Sequence, residues 1–405
     1  SDSIYGETIM TNRLELSSRY ELPSDENILL QTSYNYHKQN SYYGETHYKA
    51  TQNTLFNQLL WYKDTGLRHE LTTGITLKFN SYNDNTPATK ETDLFHIPGI
   101  FVQDEFTLSD QWKILSGIRW DIHQDHGNIF APRFNLKWAP NINTSFRWNV
   151  GTGFRVVNLF TEDHAALSGS REVIIANNLQ PEESKNINFN FNHWFQRNEQ
   201  NTSLDIDLFY THFTNKIIPD YDTDPSTIFY DNLKGYSISK GASFQINHSF
   251  YIPLNISIGG TYLDVYSINE GQKNIELFAP SFSGVFSIGY KWPLNNVKLD
   301  YTGQITGPMN LPTYDKSFSR AETSPWYTVQ HIKLEKTYRT KLSTYIAVRN
   351  MFNFTQESPL IDPAAGADSN TNQTWQAGFS PNFDTSYVYG PTRGRRFIIG
   401  LVWKW

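Results

Sequence analysis

Every second residue of the closing stretch Arg395 to Trp405 is apolar. Phe397, Ile399, Leu401, Trp403 and Trp405 share one parity, and Ile398, Gly400, Val402 and Lys404 hold the other. The same alternation runs through Leu71, Ile75, Leu77 and Phe79, through Ile114, Ile118, Trp120 and Ile122, and through Leu204, Ile206, Leu208 and Tyr210. A period of two marks strands with one apolar and one polar face. It predicts about 17 strands, at 11–20, 27–38, 47–62, 67–80, 99–108, 111–122, 130–139, 143–154, 183–194, 201–217, 227–249, 254–266, 277–290, 296–307, 325–337, 340–354 and 393–405. Many reach the length of a tilted strand that crosses a bilayer, ~10 residues, and exceed the usual soluble strand.

The connections alternate in length. With the C-terminus on the periplasmic side, the inner turns are short: "PSDEN", "DTG", "SDQ", "PNIN", "RNEQ", "YIPLN", "PLNN" and Tyr338–Thr340. The outer connections at 40–46, 81–94, 123–129, 155–182, 219–226, 267–276, 308–324 and 355–392 are mostly longer. Short turns on one side and long loops on the other describe an outer-membrane barrel. Such a wall gives the apolar final strand a home, facing acyl chains and closing against the first strand.

Composition sharpens this. Aromatic residues are 15% of the chain while the apolar total is only 38%, which starves a soluble core but suits a barrel with a polar lumen and aromatic girdles. No run of 18 apolar residues offers a transmembrane helix. With no Cys there is no disulfide framework and no thiolate metal site. The net charge of -6 argues against nucleic acid as a partner.

Five stretches resemble one family. "GFRVVNLF" (Gly153 to Phe160, with Arg155) is similar to the arginine-aromatic box of TonB-dependent outer-membrane receptors. "NLQPEESKN" (Asn178 to Asn186, with Pro181 and Glu182) resembles the box downstream of it. "GIFVQDEFTL", "VRNMFNF" and the closing "YGPTRGRRFIIGLVWKW", with Arg395 and the terminal Trp405, resemble further barrel strands of that family. The resemblance implies an all-β, transmembrane antiparallel barrel of the 22-stranded type. Residues 1–405 would be its C-terminal part, with the plug domain and about five first strands absent. It implies active uptake of a large metal chelate (an iron-siderophore, haem or corrinoid complex) in the cell outer membrane, and no enzyme activity. The implied partners are the TonB complex through the missing N-terminal part, membrane lipids, the cargo and a surface lipoprotein. No cofactor is resident, although the cargo carries iron or cobalt. A passive porin-like channel is the alternative, and an outer-membrane enzyme a third reading for which no nucleophile site is found.

Individual residues carry two readings each. His164, between the two boxes, is a haem-iron ligand or an ordinary loop residue. Arg155 and Glu182 hold loop to strand or touch cargo. Trp375, Phe379, Phe383, Tyr387 and Tyr389, in a long loop rich in Asn, Ser and Gly, stack on cargo or pack a lid and girdle. Asp220, Asp222 and Asp224 bind calcium or form a solvated acidic loop. His123 and His126 flank Asp125 without any nucleophile context.

Overall fold

The computed structural model describes residues 7–403 except 44–45, 87–88, 90–91, 157–171, 177–178, 221–226, 313–320, 339–340, 358 and 360–386. Strands carry the architecture. The first eight are β1 (Glu7–Glu21), β2 (Asn27–Tyr43), β3 (Thr46–Thr65), β4 (His69–Asp84), β5 (Asp93–Thr107), β6 (Trp112–His123), β7 (Gly127–Asn141) and β8 (Thr144–Arg155). Then come β9 (Glu172–Ile175), β10 (Glu182–Arg197), β11 (Gln200–Thr214), β12 (Ile217–Asp220), β13 (Thr227–Asn232), β14 (Gly235–Ser249) and β15 (Leu254–Asn269). The last are β16 (Gln272–Ile275), β17 (Phe282–Trp292), β18 (Val297–Thr306), β19 (Tyr327–Tyr338), β20 (Leu342–Arg349) and β21 (Arg396–Trp403).

One 18-stranded sheet holds all of these but β9, β12 and β13. Within it the four-residue β16 only extends β15. The other 17 strands form an antiparallel wall in which each pairs with the next along the chain, as the alternation predicts. Among the described residues no helix is long and apolar enough to cross a membrane.

The register fixes which parity faces where. On β6 the exposed positions are Ser116, Ile118, Trp120 and Ile122, and the interleaved Asp121 and His123 are buried. On β21 Phe397 and Ile399 are 76% and 84% exposed, far beyond what water tolerates on one continuous face, and so present a lipid surface. Aromatic rings mark the inner edge of that surface. Trp112 stacks on Trp138, Trp138 on Phe146, and Phe146 lies against Phe191, all with centroids 5.0–5.4 Å apart. Eight residues up β6, Trp120 stacks on Phe130. Eight residues span about 27 Å along a strand, and a tilt of roughly 40° reduces this to about 20 Å, on the order of the apolar band of an outer-membrane barrel.

The opposite parity is polar. Asn190 donates to Asp205 and Asp207, and Asn192 donates to Asp205, at 2.8–3.0 Å. Asn149 donates to Asn188. On β6 Arg119 clamps Asp121 with Nε and Nη2 at 2.6 and 2.7 Å, and Nη2 also donates to Thr76 on β4. Gly99 leaves the room for that carboxylate, because a Cβ there would collide with Asp121 Oδ1.

Three expectations need correcting. Among the described residues β21 pairs with β20 alone and β1 with β2 alone, so the last strand does not close against the first. The sheet therefore stays open, with β1 and β21 as its two edges. The stretch 227–249 is not one strand. It breaks at Leu233–Lys234, where the Leu233 N–H turns to the Lys216 carbonyl, and its first part joins a separate sheet. The outer loop expected at 40–46 is mostly ladder, with β2 running to Tyr43 and β3 starting at Thr46.

Candidate functional site

The inward face and the outer connections form the surface on which a solute would land. Two outer connections, β8–β10 and β11–β14, build the small sheet there. β13 pairs antiparallel with β12 and parallel with β9. Its tie to the wall is the pair Arg155 and Glu182, which are direct register partners on β8 and β10. Nε and Nη2 of Arg155 donate to Glu182 Oε2 at 2.9 and 2.6 Å. The other oxygen, Oε1, accepts the Ile217 N–H, the first of β12, at 3.0 Å. Asn232 completes the tie. Its amide exchanges hydrogen bonds with the backbone of Gln180 and also donates to the Asn215 carbonyl. Pro181, which has no N–H to place, sits between Gln180 and Glu182. Asn186 lies on the inward parity of β10, opposite Gly151.

The β20–β21 connection is also anchored at both described ends. Tyr327 and Val329 on β19 join Met309, Leu311 and Tyr387 in a buried cluster, with Phe354 and Tyr389 packed against it. Tyr327 stacks face to face on Phe354 with centroids 4.9 Å apart. Tyr387 is buried and donates its hydroxyl to the Ala321 carbonyl. The Gln356 amide holds the strap from below, accepting from the N–H groups of Tyr389 and Gly390 and donating to the Tyr387 carbonyl. Tyr387 thus packs into the base of the loop, and Tyr389 lies beside it.

Two closing motifs dock on each other. Asn350 and Asn353 sit at φ of 50° and 58°, the left-handed region that Asn tolerates, and so end β20 in a tight turn. Asn350 Nδ2 donates to the carbonyls of Phe354 and Arg393, and Asn353 Oδ1 accepts the Arg395 N–H at 2.7 Å. Gly394 is needed there, since a Cβ would strike Asn353 Oδ1. The docking places His331, Arg349, Arg393 and Arg396 around one inward-facing cavity of about 600 Å³. Arg395 lies outside that lining.

At the outer rim, His123 is buried under Phe95 and His126, with ring centroids 5.1 and 4.6 Å away. Its Nδ1 accepts the Asp125 N–H, and its Nε2 is buried without a partner. Burial pushes this imidazole below its usual range, and nearby His126 adds to the shift. Asp93, at the start of β5, is pushed up by burial and then by Asp125. Among the described residues no group of three His, Asp or Glu side chains is arranged to hold a metal ion.

His164, Phe160, Trp375, Phe379, Phe383, Trp405, Asp222 and Asp224 lie outside the described residues. Asp220 ends β12 and is half-buried. The residues that sequence reasoning passed over are Asn232, Asn350, Asn353 and Gln356, whose amides position the loops. The one available signal was Asn at turn positions inside "VRNMFNF".

The family described as TonB dependent receptor-like, beta-barrel matches residues 4–351. An iron-regulated outer membrane virulence protein of Vibrio cholerae is 32% identical over 124 residues, covering 29% of this chain and 19% of that protein. Among solved structures, the FrpB iron transporter from Neisseria meningitidis superposes with a TM-score of 0.71 at 12% identity, covering 98% of this chain and 63% of that one. The siderophore receptor PirA from Pseudomonas aeruginosa gives 0.65 at 16% identity, covering 87% and 62%. The copper transporter OprC gives 0.71 at 14% identity, covering 98% and 65%. These likenesses show the fold, and the chain spans under two thirds of the length of those structures. With a family match across most of its length and a lipid-facing wall of 17 strands, the chain belongs to the TonB-dependent receptors and forms outer-membrane β-barrel wall rather than an enzyme.

Proposed function

We propose that the protein serves TonB-dependent uptake of a large metal chelate, an iron-siderophore, haem or corrinoid complex, across the outer membrane. The family match over residues 4–351 carries this reading. The names of the similar proteins support the cargo class: an iron transporter, a siderophore receptor and a copper transporter. In this reading the wall supplies the outer loops and much of the cargo-facing surface, with its outward face in lipid. The gate and the TonB contact belong to parts of the receptor other than this wall. A surface lipoprotein over the outer loops is a further partner in this reading. The iron or cobalt is carried with the cargo and is not a resident cofactor.

Uptake of radiolabelled ferric chelates by intact cells, with and without the gene, tests the reading. Uptake that depends on the gene and stops when the proton-motive force is collapsed supports it. Gene-dependent uptake that continues after collapse would make the protein a passive channel and overturn it.

A further inference from the structure

Several inward-facing cations come with acids. Arg119 has Asp121, Arg155 has Glu182, Lys298 has Asp300 and Lys333 has Glu335. The cavity under the closing motifs gathers cations without an acid. Arg349, Arg393 and Arg396 line it together, and none forms an ion pair with a described carboxylate. Arg349 and Arg396 are direct register partners on β20 and β21. Like charges placed directly opposite each other across a ladder destabilise it, so this arrangement costs stability until an anion fills it.

The cavity is built by specific contacts. The carbonyl of Arg393 is held by Asn350, and the backbone on its other side by Asn353, so the Arg393 position is fixed by two side chains of the facing motif. His331 adds a directed donor. Its Nδ1 accepts the Asn350 N–H at 3.1 Å, which leaves the proton on Nε2. The parity of Arg396 is opposite to that of lipid-facing Phe397 and Ile399, so the cluster faces the lumen and not a lipid headgroup. Guanidinium forks match the paired oxygens of carboxylates, catecholates and phosphates, and three of them around a cavity of about 600 Å³ suit a large oxyanion.

We propose that this cavity recognises the anionic oxygens of the cargo, so that the receptor selects negatively charged metal chelates over neutral ones. The proposal rests on the uptake reading and deepens it.

The test uses outer-membrane vesicles from cells producing the protein from its own gene, with vesicles from a deletion strain as blank. The probes are a radiolabelled ferric tris-catecholate complex, which is anionic, and a ferric tris-hydroxamate complex, which is neutral. Losing one charge-assisted contact in Arg393→Gln or Arg396→Gln is expected to weaken retention of the anionic complex about tenfold or more. The neutral complex should be unaffected, and Arg396→Lys should recover part of the loss. Arg395→Gln, outside the cavity, should change neither probe. Quantity and heat-modifiability of each variant in the membrane report whether it folds.

Three results would overturn the proposal. One is no saturable retention of the anionic complex. Another is equal loss of both probes in the cavity variants. The third is unchanged retention with a lower folded yield, which would assign the arginines to a carboxylate of the receptor itself. The uptake reading fails separately, through energy-independent transport, and survives any of these three.

Discussion

Arg155 and Glu182 meet in register across β8 and β10, and the same carboxylate that takes two guanidinium hydrogens also caps the first N–H of β12. One side chain therefore couples the wall to the small outer sheet. The ion pair itself contributes little, about 1 kcal/mol at most, because the Arg155 side chain is more than half exposed.

Glu182→Ala should act mainly through the orphaned Ile217 N–H, at a local cost of about 1–3 kcal/mol. Proteolysis of the outer segment 157–232 on whole cells is expected to speed up about tenfold while the barrel stays intact. Glu182→Gln, which keeps an acceptor, should lie between. Unchanged cleavage rates in Glu182→Ala would show that the carboxylate does not anchor the sheet.

Gly99→Ala should be among the more damaging single-methyl additions to the wall. Its Cβ meets the buried Asp121 carboxylate, whereas at Gly153 the nearest atom is the Ser184 hydroxyl at 3.2 Å, which can rotate away. Overpacking of this kind costs about 1–3 kcal/mol. The expected result is a lower temperature for loss of heat-modifiable mobility in Gly99→Ala and little change in Gly153→Ala.

The rim around His123 should loosen in acid. An imidazole held below its ordinary value favours the folded rim while neutral. That contribution is complete above the ordinary histidine value of about 6.5 and is lost as pH falls below it toward the depressed value. Asp93 acts in the opposite sense. With its carboxyl raised, its favourable contribution is present at low pH and fades as pH rises through the raised value. The protection factors of the amides of residues 123–127, which take out the slower intrinsic exchange in acid, should therefore fall on going from neutral pH into the acid side of 6.5. His123→Asn, which keeps an acceptor for Asp125 N–H, should flatten the profile. A profile unchanged by His123→Asn would place the acid response elsewhere.

Tyr387 offers a graded test of the loop base. Tyr387→Phe removes the hydroxyl contact to Ala321 and should cost about 1 kcal/mol. Tyr387→Ala also empties a ring site in the Met309, Leu311, Tyr327 and Val329 cluster and should cost about 3–5 kcal/mol locally. Whole-cell proteolysis within 350–395 is expected to follow that order.

The wall was legible in the sequence because a strand with one lipid face and one wet face writes its period into every second residue. The turn pattern was legible for a related reason: short inner turns need Pro, Asn, Asp and Gly at few positions. What alternation does not encode is the partner. β13 carries three consecutive apolar residues, Ile228, Phe229 and Tyr230, and nothing local says that it leaves the wall to pair with β9 and β12. The basic cavity was hidden in the same way. Asn350, next to Arg349, lies 43 residues of chain from Arg393, and the two arginines become neighbours only when Asn350 and Asn353 fold one motif onto the other. The burial of His123 depends on Phe95 from a different strand, which no spacing in "DIHQDH" reveals.

The unequal strand lengths have a consequence for the cell surface. β3 runs for 20 residues, about 66 Å along the strand, yet a bilayer crossing uses only ~10. Much of the β2–β3 hairpin therefore projects into the medium as a rigid, fully laddered ribbon, while β20 and β21 stop at 8 residues each. Antibodies raised against that ribbon are expected to bind living cells. A small epitope inserted between β2 and β3 would report the protein on living cells without touching the clamp, the loop base or the basic cavity.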